Sequence, residues 1–255
     1  MLFYPPSRPP NELGNWNGLY NFPLYIDDND NDIANFDPDL MTQIKLVPNE
    51  DTNHVRMLGV LLDKNLNMKI HVSKIRNKIL RANFSIRQMR NVLDKRHLKL
   101  LVNAYVKSHL EYNCNLLTLC NKTTLKPLEL CFKKTIRILC NAGYNDHTAP
   151  LFKSEGILPV DKLIEYNAIK FMHSYYYKYC PKTFLGTWKL NSEGHNHDTR
   201  IKDDFHIEHR ALQYFSNFPL FKFPDLWNKL DKSLKIIRDK NEFLRKLKNH
   251  LFQSF

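Results

Sequence analysis

The sequence predicts a mainly α protein: a helical bundle preceded by a small β-containing segment and followed by a C-terminal helical module. Three observations carry this. Val72, Ile75, Ile79, Ala82, Ile86, Met89 and Leu93 recur at alternating steps of three and four, the repeat of an amphipathic helix. Glycine is scarce, 7 in 255 residues, whereas Lys and Arg total 38, which suits helices and disfavours a glycine-punctuated sandwich or a phosphate-cradling loop fold. Hydrophobic residues make up 43% and aromatics 12%, too much for a disordered polymer.

The chain divides by texture into residues 1–68, 69–181 and 182–255. The first region is rich in Pro, Asn and Asp, and from Asp27 to Asp51 it carries eight acidic residues against one lysine. Loops around short strands at 1–4, 24–26, 41–47 and 56–62 are expected, the last an apolar run with a glycine hinge at Gly59.

The texture changes at Lys69. Between Lys69 and Lys99 there are ten basic residues and one acidic residue. Along the predicted first helix, Lys74, Lys78 and Arg81 lie to one side of the apolar seam, and Arg76, Arg87 and Arg90 to the other. Asp94 is placed to cap a second helix running through Leu98, Leu101, Tyr105 and Val106. A third runs through Leu125, Leu128, Phe132, Ile136 and Leu139, with Lys126, Lys133 and Arg137 on one face at steps of seven and four. Pro159 suits the first turn of a fourth, with Ile164, Ala168, Phe171 and Tyr175 inward and Pro181 beyond its end. Residues 182–210 are polar and aperiodic and are expected to be irregular. A final helix over 239–252 turns Phe243, Leu247 and Leu251 inward and Arg245, Lys246 and Lys248 outward.

A formal charge of +12 and a pI near 9.4 favour a polyanionic partner, because cations that replace the counterions of nucleic acid release them. The alternative for any basic helix face is ordinary solvation. Five cysteines, an odd number with no CxxC pair, indicate a reduced intracellular setting, nuclear or cytoplasmic. No apolar run reaches the ~20 residues needed to cross a bilayer, so no membrane partner is expected. Cys114, Cys120, Cys131 and Cys140 fall in apolar helical patterns and are expected in the core. His195, His197, His206 and His209 match no strong zinc spacing and read as a solvated loop. Neither a nucleophile elbow nor a phosphate loop is present.

Several stretches together carry a resemblance. RMLGVLLDKNL at 56–66, followed by His71 and Val72, resembles the segment that closes the palm and enters the thumb of jockey-like non-LTR retrotransposon (LINE) reverse transcriptases. The likeness continues through 101–112, FKKTIRIL at 132–139, HTAPLF at 147–152, GILPV at 156–160, FMH at 171–173 and FPDLWN at 223–228. Departures are Met57, where the family usually has Phe or Tyr, and Met68, where it usually has Trp.

The resemblance implies a C-terminal portion of an RNA-directed DNA polymerase: a palm remnant over 1–68, a thumb-like helical domain over 69–181, and a C-terminal module. Tyr25-Ile26-Asp27-Asp28 imitates the family's Y-x-D-D metal box, but Met1 to Tyr4 look like the strand that follows the true box, so this tetrapeptide is expected to be a connecting loop. No polymerase activity is expected from this chain alone. Leu58 and Gly59 look like the turn supporting the primer end, and Lys74, Lys78, Arg81, Arg87 and Arg90 lie on the matching thumb helix. With Lys126, Lys133 and Arg137, these are the candidate nucleic-acid-binding residues. The implied partners are an RNA and DNA template-primer duplex and the upstream palm and fingers. No cofactor is expected in this chain, Mg2+ belonging to the full-length parent polymerase. The competing expectation is an inert helical remnant or a protein-interaction domain that binds no nucleic acid.

Overall fold

The computed structural model describes residues 54–194, 201–207 and 216–255. The strands expected at 1–4, 24–26 and 41–47, the acidic run, Tyr25 to Asp28, and His195, His197 and His209 lie outside the described residues. Among these residues the architecture is mainly helical, with one two-stranded antiparallel sheet ahead of the helices.

The apolar run expected as a single strand at 56–62 is instead a hairpin. Strand β1 (His54–Met57) pairs with β2 (Val60–Asp63), Met57 opposite Val60 and His54 opposite Asp63. Leu58 and Gly59 make the two-residue turn, both with positive φ (45° and 83°), the geometry that matches the twist of paired strands. Gly59 takes that φ at no steric cost, whereas Leu58 holds it under strain. Asp63 Oδ1 then accepts from the backbone of Asn65 (3.1 Å) and Asn67 (3.0 Å), turning the chain through buried Met68 into the first helix.

Helix α1 (Lys69–Met89) buries Val72, Ile75, Ile79 and Ile86 as the periodicity predicts. It stops before Leu93, and Met89, expected on the buried seam, is 45% exposed. Asp94 caps α2 (Lys95–Val102), its carboxylate accepting from His97 N at 2.9 Å. A π-helical turn (Asn103–Lys107) and α3 (Ser108–Glu111) continue it. The buried residues here are Leu98, Val102, Val106 and Leu110. Steps of four overshoot a 3.6-residue turn by about 40° each, and the wider π turn takes back that drift, so all four stay on one face. For the same reason Tyr105, expected within the second helix, points outward.

After a 3-10 turn (Cys114–Leu119), Asn121 caps α4 (Lys122–Leu139), its side chain accepting from Thr124 N at 2.9 Å. Helix α5 (Thr148–Glu155), not foreseen from periodicity, ends at Gly156 in the left-handed region (φ 60°). Helix α6 (Val160–Tyr176) starts behind Pro159 as expected. Beyond it lie the short α7 (Asn191–Gly194), α8 (Pro219–Asn228), α9 (Lys232–Lys235) and α10 (Lys240–Gln253).

The stretch expected to be irregular after residue 182 is tied down where it is described. Leu190 bridges Phe205, and the Asn228 amide both donates to Phe205 O (2.8 Å) and accepts from Phe205 N (2.9 Å). Phe243, Leu247 and Leu251 of α10 are buried at 0–4% exposure, and the core runs unbroken from Val60 to Leu251. Among the described residues, no helix is long and apolar enough to cross a membrane.

His173 of α6 fastens that core to the C-terminal module. Its ring stacks on Phe243 at 4.0 Å, and Nε2–H donates to Ile237 O at 2.9 Å. Nδ1 is buried with no partner among the described residues. Burial holds its pKa below the ordinary 6.5, helped by Lys240 and opposed by the Ile237 bond and Asp239. A histidine with a lowered folded pKa adds full stability above its unfolded pKa and loses it as pH falls through that value toward the folded one. Thermal stability is therefore expected to decline below about pH 6.5. His173→Phe should decline less steeply than the parent over that interval; parallel pH profiles would show that another group dominates.

Candidate nucleic-acid interface

Each residue advances about 100° around α1, so the buried seam leaves two margins and an outer ridge. Lys78 and Arg81 are exposed and Lys74 is half-buried, all on one margin. None of the three has a carboxylate partner within ion-pairing distance among the described residues. This margin faces the π turn and α3. There His109 has its pKa lowered by burial and then by Lys78, and buried His71 is lowered by burial and then by Lys74 and Lys78.

The hairpin reaches the same side. Tyr112, just past α3, donates its hydroxyl to Leu58 O, and its ring stands 3.6 Å from where a Cβ on Gly59 would be. Leu58 itself is 82% exposed. Tyr112 thus ties the Leu58–Gly59 turn to the end of α3, the same short helix whose His109 feels the charge of Lys78.

The remaining candidates are elsewhere. Arg87 is exposed on the opposite margin near the end of α1, and Arg90 is half-buried at its C-cap. Lys126, Lys133 and Arg137 share the face of α4 away from the core, as their spacing predicts. Arg137 is engaged, its Nε and Nη2 donating to Asp146 O at 3.1 and 3.0 Å. Lys126 sits 3.9 Å from Glu129, an exposed contact of little energetic weight.

Two of the ten basic residues counted between Lys69 and Lys99 serve the fold. Lys95 and Lys99 converge on the buried carboxylate of Glu155 at 2.5 and 3.3 Å, and Lys99 also donates to Glu155 O at 2.7 Å. Burial alone would raise the Glu155 pKa, but the two ammonium groups hold it below the usual carboxylate value.

A feature missed from sequence is the groove between α1 and α4. The helices run side by side in one direction, Lys69 and Ser73 near Thr123 and Thr124, and Asn83 bonded to Thr135 (2.8 Å) and to Cys131 O (3.3 Å). Two adjoining hollows of about 330 and 450 Å³ open along this seam. Arg76 and Lys134 meet there although 58 positions separate them in the chain. The periodicity does place Arg76 beside the seam, but no local pattern shows which helix it will face.

Among the described residues, no group of three or more His, Cys, Asp or Glu is arranged to hold a metal, and His206 is exposed. Cys114, Cys120 and Cys131 are buried as expected, whereas Cys140 is half-buried beside Glu155. Burial pushes the Cys114 and Cys120 thiols up to about 12, which keeps them protonated. Comparison with protein-family models, curated proteins and solved structures finds no match to this chain.

Proposed function

We propose that this chain is the C-terminal region of a non-LTR retrotransposon reverse transcriptase and grips the template-primer duplex by its phosphates, without reading bases. The observation that supports it is the Lys74, Lys78 and Arg81 margin of α1: three cations along two turns, unpaired by carboxylates among the described residues, on a chain whose Leu58–Gly59 turn is also exposed and tied to Tyr112. Cations free of carboxylates remain available to phosphate, and contacts to phosphate position a duplex rather than select its sequence. The strained exposed turn suits a backbone that must approach a strand end closely. The upstream palm and fingers would complete the enzyme and supply its Mg2+ centre, and a nuclear or cytoplasmic setting belongs to the same reading.

Salt dependence tests this directly. Each phosphate neutralised contributes a slope of about −0.9 in log K against log salt, so three contacts give about −2.7, or roughly a 40-fold loss between 50 and 200 mM. Anisotropy titration of a labelled RNA–DNA hybrid is expected to show at least that fall, with little difference between unrelated sequences. A flat salt response would refute phosphate gripping.

A further inference from the structure

We propose that the groove between α1 and α4 docks an acidic amphipathic helix from a partner protein. Its floor is aliphatic: Leu80 is half-buried, Pro127 is exposed and Leu130 is 54% exposed. Its walls are cationic, with Lys69 and Arg76 on α1 and Lys126 and Lys134 on α4. Pro127, inside α4, cannot donate the helical bond to the Thr123 carbonyl, an acceptor on the groove's lip. From Lys69 to Leu80 the groove extends about 17 Å, the length of three helical turns. A guest helix of that length presents apolar anchors at i, i+3 or i+4 and i+7 to the floor, and carboxylates on its flanks to the four cations.

Nucleic acid suits this groove less well. The floor offers no aromatic plane for a base to stack on, and a phosphate run along it would lie against Leu130 and Pro127. The groove also lies on the opposite margin of α1 from Lys74 and Lys78, so both partners can be held at once.

The probe is a labelled, designed peptide of about 14 residues with leucine at the anchor spacing and glutamate on both flanks, against a scrambled peptide of equal composition. With the full chain, the designed peptide is expected to bind at least about tenfold more tightly than the scramble. Leu130→Asp should weaken it about tenfold and Lys134→Glu several-fold, with unchanged thermal melts, since both positions are on the surface. Equal binding of the scramble, or indifference to Leu130→Asp, would overturn the proposal. So would no binding of the designed peptide, or its displacement by a short single-stranded oligonucleotide that itself loses affinity on Lys134→Glu. Duplex binding by the Leu130→Asp variant is expected to persist, which separates failure at this groove from failure of the duplex-gripping role.

Discussion

Changing Lys74, Lys78 and Arg81 together to glutamate is expected to weaken duplex binding on the order of a hundredfold at low salt. The loss should be uniform across sequences, and the salt slope should flatten by about three units. The magnitude assumes about 1 kcal/mol per cation, a value suited to solvated contacts rather than buried ones. The fold should survive, because Lys78 and Arg81 are exposed and none of the three is ion-paired within the described residues. A triple change at Arg238, Lys240 and Arg245, all exposed and without a carboxylate partner among the described residues, is the control, having equal charge at a site remote in sequence from the hairpin and α1. If both triples weaken binding equally, net charge alone is responsible and the α1 margin has no special role.

Trp227→Ala is expected to be the most damaging single substitution to stability, costing about 3–5 kcal/mol. Trp227 is fully buried on α8, with ring neighbours Tyr176 at 5.4 Å, Phe243 at 6.1 Å, His173 at 6.3 Å and Phe205 at 6.4 Å. Those neighbours come from α6, α10 and the 201–207 segment, so the cavity loosens three elements at once. A fall in Tm on the order of 10 °C follows for a domain of this size. Trp227→Phe should recover most of it, because the indole Nε1 has no partner among the described residues and its removal breaks no bond. A loss below about 1 kcal/mol for the alanine variant would mean that α8 is peripheral to the cooperative unit.

Much of the fold was legible because helix signals are local. Apolar steps of three and four marked α1, α4, α6 and α10, and Asp94 and Pro159 marked two of their starts. Each such signal depends on residues within a few positions of one another. The sequence of the hairpin gives the signal of one strand because Leu58 is an unfavourable residue for its turn, and Leu-Gly lacks the Asn-Gly or Asp-Gly cue. The π turn leaves no such signal: the sequence places Leu98, Leu101, Tyr105 and Val106 on one ordinary helix, whereas the wider turn shifts the buried face to Leu98, Val102, Val106 and Leu110. Helices α5 and α8 were missed because their buried faces are set by neighbours rather than by a repeat.

The sequence by itself determined the helical class, the amphipathic segments and the sides of α1 on which its cations lie, all fixed by the constant angle between successive residues. Only the tertiary structure decided which cations remain available. Lys95 and Lys99 are held by Glu155, 56 to 60 positions away, while Lys74, Lys78 and Arg81 keep no carboxylate partner within the described residues. It also decided that Arg76 and Lys134 share a groove. Ion pairing and grooves depend on which surfaces meet across long loops, and meeting across loops leaves no periodic trace in the chain.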